Sequence, residues 1–313
     1  MEQETGLSKS VAVVACASMT FFYVAILHAP TLILRLPPPS SLKQFLIRRF
    51  ICAAICSIVS VIFCALILPI RRLEASLLFG IYGIRLDHIW QAVAFPLSLT
   101  SLMYAGSFLD KLLMLVDSWK EDMNEGGGGF SFDSIKHLLQ NFVVWMSSTA
   151  SNVMAWRNFV VAPLTEELVF RACMISLLLC GGFKIYSVIF LCPILFSLAH
   201  LNHWMEIYVR HNYSMLKASM VVGLQLGYTV IFGSYASFLF IRTGHLLAPL
   251  SAHIFCNFMG LPVLFGRKKG MVTLAFVAGV VTFSWLLFPV TSPDLYNDQT
   301  NNCRCWHGYC SWN

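Results

Sequence analysis

Three ionisable side chains sit where a lipid-buried helix should have none. The apolar stretch 158–183 carries Glu166, Glu167 and Arg171, and each such group costs ~2.5–3.5 kcal/mol at the centre of a membrane helix. Glu167 and Arg171 are four residues apart and can pair across one turn. Glu166 lies about 100° round the helix from Glu167, so one helix is not expected to aim both carboxylates at one partner. The three can form a neutralising cluster that pins helices together, or a buried site with Glu166 as the free carboxylate and the Glu167–Arg171 pair as its scaffold. Further along, Phe196 and His200 share one helix face, and His253 and Asn257 share another. A single imidazole in an apolar span is usually a packed, hydrogen-bonded residue. Two of them, with a helix-mate amide and a membrane carboxylate, point to one buried site capable of proton transfer.

The elements that must position these residues are membrane helices. Of 313 residues, 58% are hydrophobic and 12% charged, with mean hydropathy +0.71. Soluble domains carry roughly 25% charged residues, so a soluble enzyme, a disordered regulator and a secreted disulfide scaffold are excluded. Seven windows (11–34, 51–70, 88–109, 185–205, 218–241, 243–266 and 270–293) contain no Asp, Glu, Lys or Arg. Each can supply the ~20 residues a crossing helix needs, and helices satisfy the backbone in lipid. With the charged stretch 158–183 as an eighth, the fold expected is all-α and polytopic, with about eight transmembrane helices in a single membrane domain, 1–313. The polar window 137–156 reads as an interfacial or partly exposed helix.

Charge then sets orientation. The odd-numbered loops hold 13 Lys/Arg against seven in the termini and even-numbered loops, which puts the odd loops in the cytosol and both termini on the far side. The loop with Arg71, Arg72 and Arg85 opposes this bias. On that topology Glu166, His200 and Asn257 all lie towards the cytosolic side. The +6 net charge is a topology signal, with no nucleic-acid partner implied.

Eight of the 11 cysteines lie in apolar spans and read as small packing residues. Cys303, Cys305 and Cys310 belong to a polar tail, 294–313, and could form a bridge in an oxidising lumen. Residues 117–134, with the run Gly126–Gly129, read as a flexible loop. The sequon at Asn212 falls on the cytosolic side and is expected to be unused. The first apolar window reads as an uncleaved helix, because Glu2 and Glu4 spoil a positive leader.

Glu166-Glu167-Leu-Val-Phe-Arg171, Phe196-Ser-Leu-Ala-His200 and His253-Ile-Phe-Cys-Asn257 together resemble the EExxxR, FxxxH and HxxxN motif set of the CAAX prenyl protease 2 family. These are the type II CAAX endopeptidases, related to the bacterial ABI proteins. The likeness is close over 158–260, the catalytic helices. It implies an intramembrane glutamate protease of the endoplasmic reticulum membrane, with its active site open to the cytosol. Its partners would be prenylated CAAX proteins of the small-GTPase type, bearing farnesyl or geranylgeranyl, from which it removes the last three residues. Glu166 and His200 would activate water, and His253 and Asn257 would form the oxyanion hole. Glu167, Arg171 and Phe196 would support them, Glu167 and Arg171 by orienting the helix or by contacting the terminal carboxylate of the substrate. The lipid would lie in an apolar groove, gaining about 0.8 kcal/mol per CH2-sized unit. No cofactor and no metal are expected.

Two other readings fit the same residues. Glu166, His200 and His253 could serve as zinc ligands, an acceptable catalytic set, although H-E-x-x-H is absent. A transporter or chaperone-like membrane protein could line a pathway with the same polar cluster.

Overall fold

The computed structural model describes residues 7–69, 75–124, 132–201, 214–264 and 269–296, with Trp204, Tyr208 and Gly266. Its main elements are α1 (Lys9–Ile26), α2 (Leu42–Ile67), α3 (Ala75–Ile81), α4 (Ile89–Leu102), α5 (Ala105–Asn124) and α6 (Phe132–Ser151). There follow α7 (153–180), α8 (Ile185–Ala199), α9 (Met215–Thr243), α10 (Leu247–Met259) and α11 (Lys269–Val290). No strand occurs among the described residues. The protein is an all-α, polytopic membrane protein.

All eight expected spans fall on helices, but they differ in reach. By length and composition α1, α2, α9 and the Gly270–Val290 part of α11 can cross a membrane. The window 88–109 was expected to form one span. It is instead broken between α4 and α5, with a 74° bend, and counts as a fifth crossing only if the pair is taken together. Packing accounts for the break. The Tyr104 hydroxyl donates to the Gly260 carbonyl at 2.7 Å, and Gly279 of α11 closes onto the Leu102 carbonyl, leaving no room for a side chain. Helices α8 and α10 have 15 and 13 residues. At 1.5 Å per residue they span about 20–22 Å, short of the ~30 Å hydrocarbon core. Gly260, at φ +72°, stops α10 well before the end of its apolar window.

The predicted loop 117–134 needs correction at both ends. Helix α5 runs on to Asn124 and α6 begins at Phe132, since Lys120, Glu121 and their neighbours are good helix formers on an exposed face. The glycine run and the tail cysteines lie outside the described residues, as does the Asn212 sequon. Helix α6 is largely exposed where its side chains are described, including Gln140 and Asn141, with Thr149 half-buried, as its polar sequence implied.

Helix α2 shows how the sequence sorts lipid from protein. Its inward face carries Ala53, Cys56, Ser57, Ser60 and Cys64, all buried, while Ile51, Ile55, Ile58, Ile62 and Leu66 face outward. Small residues allow close helix approach where lipid tails supply no hydrophobic drive. The element so enclosed is α7, in which Val169–Leu178 is buried throughout. It is not a plain α-helix: π turns occupy Arg157–Val161 and Glu167–Cys173. Three buried thiols donate to carbonyls in and just after the second of these turns. Cys64 donates to the Cys173 carbonyl at 3.5 Å, Cys192 to that of Phe170 at 2.6 Å and Cys16 to that of Met174 at 3.7 Å. All eight described cysteines are free, and these three do more than fill space.

At the opposite end, the α9–α10 turn is fastened to the loop before α4. The Leu246 amide donates to the Gly83 carbonyl at 2.8 Å, and Arg85 grips Asp87 through Nε and Nη2 at 3.1 and 2.9 Å. Partial burial raises the Asp87 carboxyl, but the bonds and charge of Arg85 outweigh it and hold it below the ordinary carboxylate value. This anchor sets the start of α10, the helix that carries His253.

Candidate active site

The first motif sits where an α turn, Ala162–Glu166, meets the second π turn. Glu167 and Arg171 are completely buried, and Arg171 Nη1 lies 3.2 Å from Glu167 Oε1. The guanidinium also stacks 4.7 Å from the Phe196 ring, a cation–π contact that gains strength when desolvated. Helix α9 comes so close here that a Cβ on Gly233 would lie 3.2 Å from Arg171 Nη2 and 2.8 Å from the Pro193 side chain. Arg171 is thus sealed in the core and is not available to a substrate.

Glu166 and Glu167 were expected to face different partners, and the structure overturns that expectation. His253 reaches across from α10 with both ring nitrogens. Nδ1–H donates to Glu167 Oε1 at 2.7 Å, and Nε2 lies 3.8 Å from Glu166 Oε2. A hundred degrees of separation on one helix suits opposite edges of a single imidazole inserted between the two carboxylates. Phe232 packs against that ring at 5.1 Å, fixing its plane.

Phe196 and His200 form the second wall. Their rings meet edge-on at 4.8 Å, and Phe196 also touches Phe170 at 4.7 Å. His200 Nδ1–H donates to the Phe196 carbonyl at 3.1 Å. A carbonyl can only accept, so the neutral ring carries its lone pair on Nε2. Glu166, Phe196 and His200 line one cavity of about 100 Å³, roomy enough for several water molecules. His253 adjoins it through Glu166.

Asn257 stands apart. It is exposed at the end of α10, where its Nδ2 donates to the Asn158 carbonyl at 2.8 Å. With His253 against Glu166 and Asn257 against Asn158, α10 runs antiparallel to α7, and the last motif lies alongside the first.

Tyr23, Arg49 and Arg157 also line the cavity, and none was singled out in the sequence. The Tyr23 hydroxyl meets Thr165 Oγ1 at 3.2 Å, next to Glu166. Tyr23 looked like one more aromatic residue in an apolar helix, and both arginines were read only as topology charges. Among the described residues no three His, Cys, Asp or Glu side chains come together as a metal site.

Comparison with known proteins bears on this constellation. The family model for "Type II CAAX prenyl endopeptidase Rce1-like" matches residues 148–259, from the end of α6 to the end of α10. CAAX prenyl protease 2 of Arabidopsis thaliana is 63% identical over 307 residues, covering 98% of both chains. This chain belongs to the type II CAAX prenyl endopeptidase family. CAAX prenyl protease 2 of Homo sapiens is 34% identical over 93% of this chain and 84% of its own, and that of Caenorhabditis elegans 30% over 80% and 86%. No solved structure matches the chain. The family match covers all three motifs, so the buried pair, the intervening imidazole and the His200 wall belong to an endopeptidase fold.

Proposed function

We propose that this protein removes the C-terminal aaX tripeptide from farnesylated or geranylgeranylated CAAX proteins, at the cytosolic side of the endoplasmic reticulum membrane. The observation that carries this reading is the cavity shared by Glu166 and His200, with the acceptor nitrogen of His200 set by the Phe196 carbonyl. Water held between them loses a proton to Glu166 as its oxygen adds to the carbonyl carbon of the prenylated cysteine. When the C–N bond breaks, Glu166 returns that proton to the departing amine. The cysteine keeps a new carboxylate and the tripeptide leaves with a free amino group. The prenyl chain occupies the apolar walls that α1 and α2 contribute to the cavity.

The oxyanion needs fixed donors, and we assign His253 and Asn257 to it. Because Nδ1–H is committed to Glu167, His253 donates from Nε2 only as the imidazolium, which has a proton on both nitrogens. Asn257 has a second amide hydrogen beyond the one given to Asn158. Asn257→Ala is therefore expected to lower kcat by roughly 10²–10³, the usual loss for one oxyanion donor. If Asn257 only ties α10 to α7, kcat will hold while the unfolding temperature falls.

The deciding experiment uses purified protein in lipid vesicles with a farnesylated CAAX peptide, reading the released tripeptide by mass spectrometry. Release that survives exhaustive chelation is the expected result. No release would overturn the reading. Loss on chelation, restored by zinc, would favour Glu166, His200 and His253 as metal ligands instead.

A further inference from the structure

A peptide that ends at its own C-terminus brings a negative charge into the site, and burying a carboxylate without a cation is costly. Arg171 cannot serve, being sealed against Glu167 and Phe196. The cavity has two other arginines, Arg49 from α2 and Arg157 from α7. We propose that Arg157 and Arg49 form the binding subsite for the free α-carboxylate of the substrate, three residues beyond the bond that is cut. This rests on the prenyl-endopeptidase reading above and adds to it how the enzyme measures its distance from the chain end.

The geometry of α7 supports the assignment. Nine residues at about 100° each would put Arg157 on the side of the helix opposite Glu166. The π turn over Arg157–Val161 takes up one residue more than an α turn, which swings Arg157 about 100° back. Both side chains accordingly line one cavity. Along the axis they are separated by about 13 Å at 1.5 Å per residue. An extended aaX segment spans about 10 Å from the scissile carbonyl to its terminal carboxylate, and the flexible arginine side chain covers the difference. Arg49 is steadied from the other wall, its guanidinium 4.6 Å from the Phe45 ring one turn earlier on α2. A planar guanidinium is suited to two parallel bonds to a carboxylate. Two of them at a fixed distance from Glu166 would admit a terminal tripeptide and reject an internal sequence, whose peptide carbonyl carries no charge.

The test compares two farnesylated peptides of one sequence, one ending in a free carboxylate and one in a carboxamide. Wild type is expected to favour the acid by about tenfold or more in kcat/KM, the scale of one charge-assisted bond. In Arg157→Gln, and further in Arg157→Gln/Arg49→Gln, that preference should collapse towards one, through a higher KM on the acid peptide. Arg157→Lys should keep part of it. Equal cleavage of acid and amide by wild type overturns the proposal. So does a proportional loss on both peptides in the Gln variants, since arginines that merely support Glu166 or the fold would act on both alike. A wild type that cleaves neither peptide is the separate failure of the endopeptidase reading.

Discussion

Glu166→Gln is expected to reduce tripeptide release by roughly 10²–10⁴, the usual contribution of a positioned general base, with little change in KM. The substitution keeps the volume and one hydrogen-bond acceptor but removes the group that takes the proton from water. Nothing else in the site should shift. The 2.7 Å bond from His253 to Glu167 and the buried pair with Arg171 do not pass through Glu166, which lies 3.8 Å from His253. The variant should therefore extract, fold and unfold as wild type does. A loss in kcat with KM preserved identifies an interaction made in the transition state. Release within about tenfold of wild type would instead assign the base to His200, whose acceptor nitrogen serves the same cavity.

The residues that could be found in the sequence were those that lipid makes expensive. Glu166, Glu167 and Arg171 stood out because a membrane helix excludes charge, and His200, His253 and Asn257 because amide and imidazole groups are rare company there. Helical periodicity placed them on or at the end of helices, and each of the eight expected spans contains a helix among the described residues. What periodicity cannot give is a change of period. The π turns at Arg157–Val161 and Glu167–Cys173 have no residue signature, yet the first alters what lies beside Glu166. An ideal α-helix would turn Arg157 away, so it was counted only as a charge near a membrane boundary. His253 between two carboxylates was hidden for a related reason: reading α7 alone gives the angle between Glu166 and Glu167 but not the width of the ring inserted from α10. The 74° break after Leu102 has its cause in Gly260 and Gly279, more than 150 residues away.

Glu167 should give the largest effect on stability. It pairs with Arg171 where neither side chain is exposed to solvent, and it also receives the Nδ1–H of His253. Removing one partner of a buried pair strands the other and typically costs about 3–5 kcal/mol. Glu167→Ala is accordingly expected to lower the thermal unfolding temperature sharply and, by freeing the His253 ring, to abolish turnover as well. The two consequences can be separated by removing the stranded charge. Glu167→Gln/Arg171→Met removes both members of the buried pair, and apolar replacement of such a pair is often neutral or stabilising, so most of the lost stability should return. Activity should stay at least about tenfold down, because a neutral amide replaces a charge-assisted acceptor with one about half as strong. The aim of His253 towards the oxyanion depends on that acceptor. If the double variant recovers turnover along with stability, Glu167 acts only as a counter-ion for Arg171, and the orientation of His253 has to come from its packing against Phe232.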